Sequence, residues 1–248
     1  MGTGAVTVGA PLGVALGLLI AVAVVVSLVA RLGVGRGVAT AAGRAVAQLA
    51  LVSLLIASVL RWWWATALFI AAMLLVAAGT SARRVRAARG AWWVAAAIGA
   101  GSVPTTAIVL VTGPVPRSTV AVLPIAGIII GGAMTATSLA GRRALDELRT
   151  RHGEYEAALA LGFTDREAVL EVCRPTVAQA LVPALDQTRT VGLVTLPGAF
   201  VGVLLGGGSA VQAGATQLLV LVALLAAEAV AVAVVVELVA AGRITHRR

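Results

Sequence analysis

Seven stretches of this chain are apolar for long enough to cross a bilayer, and that limits its fold more than any other feature. They run over roughly 11–30, 38–60, 63–80, 91–112, 119–140, 177–206 and 212–240, where a spanning helix needs about 20 apolar residues. Hydrocarbon offers no partner to a bare N–H or C=O, so such runs must satisfy their backbone internally, as helices do. A mean hydropathy of +1.03 with 12% charged residues leaves no room for a second, soluble domain. The expected fold is an all-α integral membrane protein with about seven transmembrane helices in one domain over 1–248. The boundary between the second and third runs, at Arg61 and Trp62, is the least defined.

The net charge of +9 would suit a nucleic-acid binder, but the charges are placed otherwise. Before Asp146 there are 11 Arg and no acid, and the Arg sit mainly in short gaps between apolar runs, which is loop topology in a membrane protein. With residues 141–175 in the cytosol, the inside groups are Arg31, Arg36 and Arg44, then Arg83, Arg84, Arg86 and Arg89, then Arg243, Arg247 and Arg248. Only Arg61 and Arg117 fall outside, so the N-terminus is expected outside and the C-terminus in the cytosol. Trp62, Trp63 and Trp64 would form an outer interfacial belt, and Trp92 and Trp93 an inner one. Residues 1–30 carry no charge and so lack the basic region of a signal peptide. Lysine is absent, so the chain lacks the lysine a phosphate-binding G-x-x-x-x-G-K-[ST] loop needs. The lone Cys173 can form no internal disulfide and suits a reducing cytosol. Arginine-only basicity with abundant Ala, Val and Gly suggests a high-GC bacterial source, and hence the bacterial plasma (inner) membrane.

Residues 141–175, GRRALDELRTRHGEYEAALALGFTDREAVLEVCRP, hold seven of the ten acidic residues. Leu145, Leu148, Tyr155 and Leu159 form an apolar stripe at helical spacing with charges facing away. Gly162 is expected to close that helix in the left-handed conformation. Thr164 restarts the chain as an N-cap, Glu167 completes a capping box, and Asp165 sits where the helix dipole favours an anion. Pro175 is expected to end the second helix. The result is a charged helical hairpin between two apolar segments.

Within this hairpin Glu156, Ala157, Ala158, Gly162, Val172 and Pro175 stand at the spacings of the EAA loop of ABC transporter permeases, which the hairpin resembles. Arg174 stands where that pattern has an apolar residue. The resemblance implies a cytosolic coupling helix that docks on a separate ATPase subunit, with Glu154, Glu156, Ala157, Ala158, Gly162, Thr164, Glu167 and Pro175 as the coupling residues. Residues 131–151, 154–169 and 190–207, the last carrying the G-L-V-T-L-P-G core at 192–198, are similar to the iron-export (FetB-like) ABC permease family, which also includes plant aluminium-tolerance permeases. Arg44, Gln48 and Leu49 match its early R-x-x-x-Q-L. The similarity covers roughly residues 40–240. It departs at Gly132 and near Asp186, where the family pattern has Asn, and at residues 199–203, where it has Met-Met-Thr-Gly-Gln. The family implies a permease subunit, a homodimer, an ABC ATP-binding partner that uses ATP and Mg, no cofactor bound by this chain, and export of an iron-like metal ion or other small solute.

The candidate translocation path is Gln48, Asp186, Arg189, Pro197, Gln217 and Glu228. A charge in hydrocarbon costs about 2.5–3.5 kcal/mol on insertion scales, which marks Glu228 and Arg189. Counting depth along straight helices brings these two to one level, with Asp186 three residues before Arg189. One reading is a buried Arg189–Glu228 pair; the other has Asp186 and Arg189 at a wet mouth and Glu228 protonated or facing a partner. Pro104, Pro124 and Pro197 are points where helices can bend. Gly127 and Gly131 make a small face for packing within the subunit or across a dimer axis. Gln48 and Gln217 suit structural hydrogen bonds as well as ligand contact. Catalysis finds little support: His152 and His246 are expected in cytosolic segments, Cys173 stands alone, and no Cys/His cluster offers a metal site. Two other readings stay open, a proton-coupled secondary transporter using Glu228 and a non-transporting membrane scaffold.

Overall fold

The computed structural model describes residues 9–85 and 87–246, without the side chains of 87–89 and 246. Arg86, Arg247 and Arg248, expected inside, and the first eight residues lie outside the described residues. The chain divides into two compact units, Met1–Trp62 and Trp63–Arg248.

In the first unit, α1 (Ala10–Val29) and α2 (Gly35–Val59) form a helical pair. Both are apolar around most of their circumference. Gly35 lies against Ser27, and a side chain there would approach Val24 as well.

The second unit is built of α3 (Trp63–Val85), α4 (Ala91–Thr112), α5 (Thr119–Thr150), α6 (His152–Ala160), α7 (Asp165–Val177), α8 (Val182–Thr190), α9 (Gly198–Leu205) and α10 (Ala210–Ala240). A two-stranded pairing joins β1 (Ala87–Arg89) to β2 (Thr245–His246) in antiparallel register. Helices α3, α4, α5 and α10 enclose the main core, in which Val94, Ile98, Ala133, Ala140, Ala231 and Val235 are fully buried.

Glycine lets these helices touch. A Cβ at Gly101 would stand 2.2 Å from the carbonyl oxygen of Ala227, so α4 meets α10 backbone to backbone. Gly132 does the same for α5 against the tips of Leu224 and Glu228 of α10. Without a hydrophobic force between helices in lipid, such small-residue contacts supply the packing. Ser81 and Ser138 add a buried polar bridge between α3 and α5, oxygen to oxygen 2.9 Å, with Ser138 donating to the Met134 carbonyl.

Among the described residues seven helical stretches are long and apolar enough to cross a membrane, and the all-α, multi-span architecture expected from the sequence is present. Pro104 and Pro124 lie inside α4 and α5, both of which continue past them. The sixth span differs from expectation. In place of one helix over 177–206, helical structure starts at Asp165, runs through a 3-10 turn at Ala178–Leu181, and stops at Thr190. Residues 191–197 are irregular, and α9 follows as a separate short helix capped by Pro197. Pro175 does not end α7. Proline removes one N–H without forbidding the next turn, and side chains from α5 and the α5–α6 junction, Arg143 and Arg151, reach the carbonyls of Thr176 and Val172 at 3.3 and 3.1 Å.

Candidate functional site

The hairpin and the end of the bundle it joins form the most polar region of the described chain. Helix α5 runs without interruption from the apolar core to Thr150, and the chain breaks at Arg151 before α6. Helix α6 ends as expected: Gly162 takes φ 93°, with Gly162 N–H bonded to the Leu159 carbonyl and Phe163 N–H to that of Ala158. That pattern satisfies the last carbonyls of the helix. The capping box forms at Thr164, whose hydroxyl accepts from Glu167 N–H while the Glu167 carboxylate accepts from Thr164 N–H.

Three links hold this hairpin in place. Arg151 Nε donates to Glu154 at 2.8 Å, with a second contact between the same groups through Nη2. The hydrogen bond holds the Glu154 carboxyl below the usual carboxylate range. The Tyr155 hydroxyl donates to Asp165 at 2.7 Å, joining α6 to α7, and this bond pushes the phenol above its ordinary pKa. Arg166 forms a two-point pair with Glu237 near the end of α10, 2.9 and 2.8 Å. Arg143, Arg151, Tyr155 and Arg166 were not singled out by the sequence. Tyr155 read there as part of an apolar stripe, which it also is, since it packs on the core beside Leu148. The tip between the helices is bare: Leu161 is 80% exposed, and Phe163 is exposed beside it. Glu156 points outward with His152 at 3.3 Å, and Ala157 is exposed while Ala158 is half-buried.

Within the second unit the candidate path residues do not converge. Gln48 is on an exposed face of α2 in the first unit. Gln217 is buried and its side-chain oxygen accepts from Phe200 N–H at 3.2 Å, tying α9 to α10. Glu228 is 7% exposed, lies against Gly132, and makes no hydrogen bond or ion pair with the described residues. The Arg189–Glu228 pair is not formed. Arg189 instead faces outward, 72% exposed, 3.6 Å from Asp186 at 60%. The cause is the 3-10 turn: four residues at about 120° each rather than 100° rotate α8 by about 80° from the face a straight helix would present. Pro197 lies at the start of α9, which with α5 and α10 borders a cavity of about 560 Å³ lined by Pro124, Ile128, Gly198, Gly202 and Thr216.

Gly127 meets Met73 of the same chain, so this part of the small face serves packing within the subunit; Gly131 has open space beside it. Among the described residues no group of three or more His, Cys, Asp or Glu is placed to hold a metal ion.

The fold and site define a multi-pass helical membrane protein with a charged helical hairpin set between its fifth and sixth membrane segments. The chain belongs to the family described as Uncharacterised protein family (UPF0014), which matches residues 11–243. It is 35% identical over 142 residues to the UPF0014 membrane protein STAR2 of Oryza sativa subsp. japonica, covering 57% of this chain and 50% of that one. Over 133 residues it is 35% identical to the protein ALUMINUM SENSITIVE 3 of Arabidopsis thaliana, 54% and 49% of the two chains. Over 128 residues it is 33% identical to the probable iron export permease protein FetB of Escherichia coli (strain K12), 52% and 49%. The chain thus spans about half the length of the curated relatives it matches. No solved structure matches it.

Proposed function

We propose that this chain is the membrane-spanning subunit of a two-component ABC transporter, acting as one permease domain and as a homodimer. The hairpin lies in the cytosol and is gripped by a separate ATP-binding subunit, on which ATP and Mg are used. The N-terminus is outside and the C-terminus in the cytosol of a bacterial plasma membrane. The cargo is a metal ion of the iron-like class or another small solute, moved outward.

One observation carries this reading. The hairpin exposes Leu161 and Phe163 at its tip and Glu156 along α6, while its base is fixed to α5 and to α10. A partner holding the tip would therefore push on two membrane helices rather than on a slack loop. A relative named as an iron export permease supports the cargo class. No catalytic step is assigned to the chain itself.

The test is co-purification from native membranes in mild detergent. An ATP-binding protein should accompany the native chain and be lost with Glu156→Lys; its absence from the native sample would overturn the reading. Glu228, buried in α10 without a partner among the described residues, favours a second reading as a proton-coupled carrier. Proton-linked transport without any ATP-binding subunit, abolished by Glu228→Gln, would select it.

A further inference from the structure

Residues 63–248 leave one face bare whose chemistry does not suit lipid. It is carried by α8, residues 191–197 and α9, where Ala184 is the sole buried residue of α8 and α9 buries none fully. Leu193 stands 89% exposed, with Val194 and Leu196 exposed beside it and Leu205 exposed at the end of α9.

Two contacts fix the depth of this face. Arg166 pairs with Glu237 near one end of α10, and Phe200 bonds Gln217 toward the other. Helix α8 lies between these points and packs on α10, alongside the apolar run 218–236. Asp186 and Arg189 therefore stand at membrane depth and face away from the bundle. Elsewhere in this unit the outward residues at such depth are of the kind lipid accepts: Leu68, Leu75, Val76, Val103, Ile108 and Val111.

The backbone makes the same point independently. Residues 192–195 fold back through bonds to the Thr190 and Thr195 carbonyls, but the Leu196 N–H and the carbonyls of Leu193, Val194 and Leu196 have no partner among the described residues. Irregular backbone at membrane depth is tolerated only where protein or water meets it.

The charges indicate which protein. Asp186 and Arg189 are opposite in sign and one turn apart on one helix, so the face is complementary to itself. Around a twofold axis along the membrane normal, each Asp186 can meet the Arg189 of the other copy, giving two equivalent ion pairs. We propose that a second copy of this chain docks on the 182–205 face, and that Asp186 and Arg189 of the two copies pair across a seam whose water reaches the 191–197 backbone. This deepens the homodimer of the transporter reading by assigning its face.

The test uses full-length chains with Cys173→Ala, carrying either Leu193→Cys or, as a lipid-facing control, Val111→Cys, each made with two different tags and oxidised in native membranes. A disulfide-linked species containing both tags is expected at 193 and not at 111. Asp186→Arg should abolish it, and Asp186→Arg with Arg189→Asp should restore it. Two tags that co-isolate without a cross-link at 193 would put the dimer on another face, and a cross-link to a different protein would make the occupant wrong. A cross-link indifferent to Asp186→Arg would remove the charge pairing. The ATP-binding subunit is scored in the same samples: its absence with the 193 cross-link intact overturns the transporter reading alone, and its presence without the cross-link overturns this inference alone.

Discussion

At the scale of single residues, the tightest constraints are glycines that meet backbone rather than side chain. A Cβ at Gly101 would press on the Ala227 carbonyl, which cannot turn aside, whereas at Gly132 it would press on the ends of Leu224 and Glu228, which can. Gly101→Ala should therefore lower stability by about 1–3 kcal/mol as overpacking does, and Gly132→Ala by less, read as thermal unfolding in detergent. Equal losses would mean that α10 yields at both places. Gly90 is held twice over, by φ 100° and by the Arg243 carbonyl 2.3 Å from where a Cβ would sit. The ionisable groups of α6 set a pH window. Glu154 has its pKa lowered by Arg151, so its contribution is full above the unfolded value of about 4.3 and is lost as pH falls through the folded one. Tyr155 has its pKa raised by Asp165, so its contribution is full below about 10 and is lost as pH rises past that. Amide protection of α6, followed by hydrogen exchange, should stay level from about pH 5 to 9 and fall at both ends. A midpoint inside that window would mean that neither bond anchors α6.

Among elements, the hairpin divides into what local chemistry writes and what tertiary contact writes. The cap at Thr164 and the left-handed Gly162 are legible because each is a side-chain or backbone rule confined to a few residues. Thr164→Ala should cost about 1 kcal/mol, measurable as earlier melting of α7. The passage of α7 through Pro175, and the stop at Thr190, were not legible. They go with guanidinium contacts from α5 and the α5–α6 junction and with a turn of different pitch, none of which apolar periodicity records. The same turn carries Arg189 to the outward face beside Asp186, so of the two readings the sequence left open the Arg189–Glu228 pair is not the one formed. The Arg166–Glu237 link joins segments 71 residues apart and carries no sequence signal. Both groups are about half exposed, so a double-mutant cycle should return about 0.2–1 kcal/mol of coupling energy. On the proposed function its effect on transport should be larger: Arg166→Glu should uncouple, and Arg166→Glu with Glu237→Arg should recover, in a stimulated-ATPase assay. Failure of the swap to recover would mean that α7 is held by its other contacts, those of Arg143, Arg151 and Tyr155 among them.

For the whole molecule, the span count was legible because seven apolar runs separated by arginine-bearing gaps leave few alternative architectures. The outward placement of Asp186 and Arg189 was not, because the face that α8 presents depends on the turn before it. Uninterrupted α5 reaches from the hairpin to the far end of the bundle. With 32 residues it is about 48 Å long. Its close contact with α10 at Gly132 leaves about 27 Å on the hairpin side and about 20 Å on the other. A rod tilting about that contact is a lever with a mechanical ratio near three-quarters, so a push of about 4 Å at the hairpin arrives as about 3 Å, reversed in direction, at the opposite mouth.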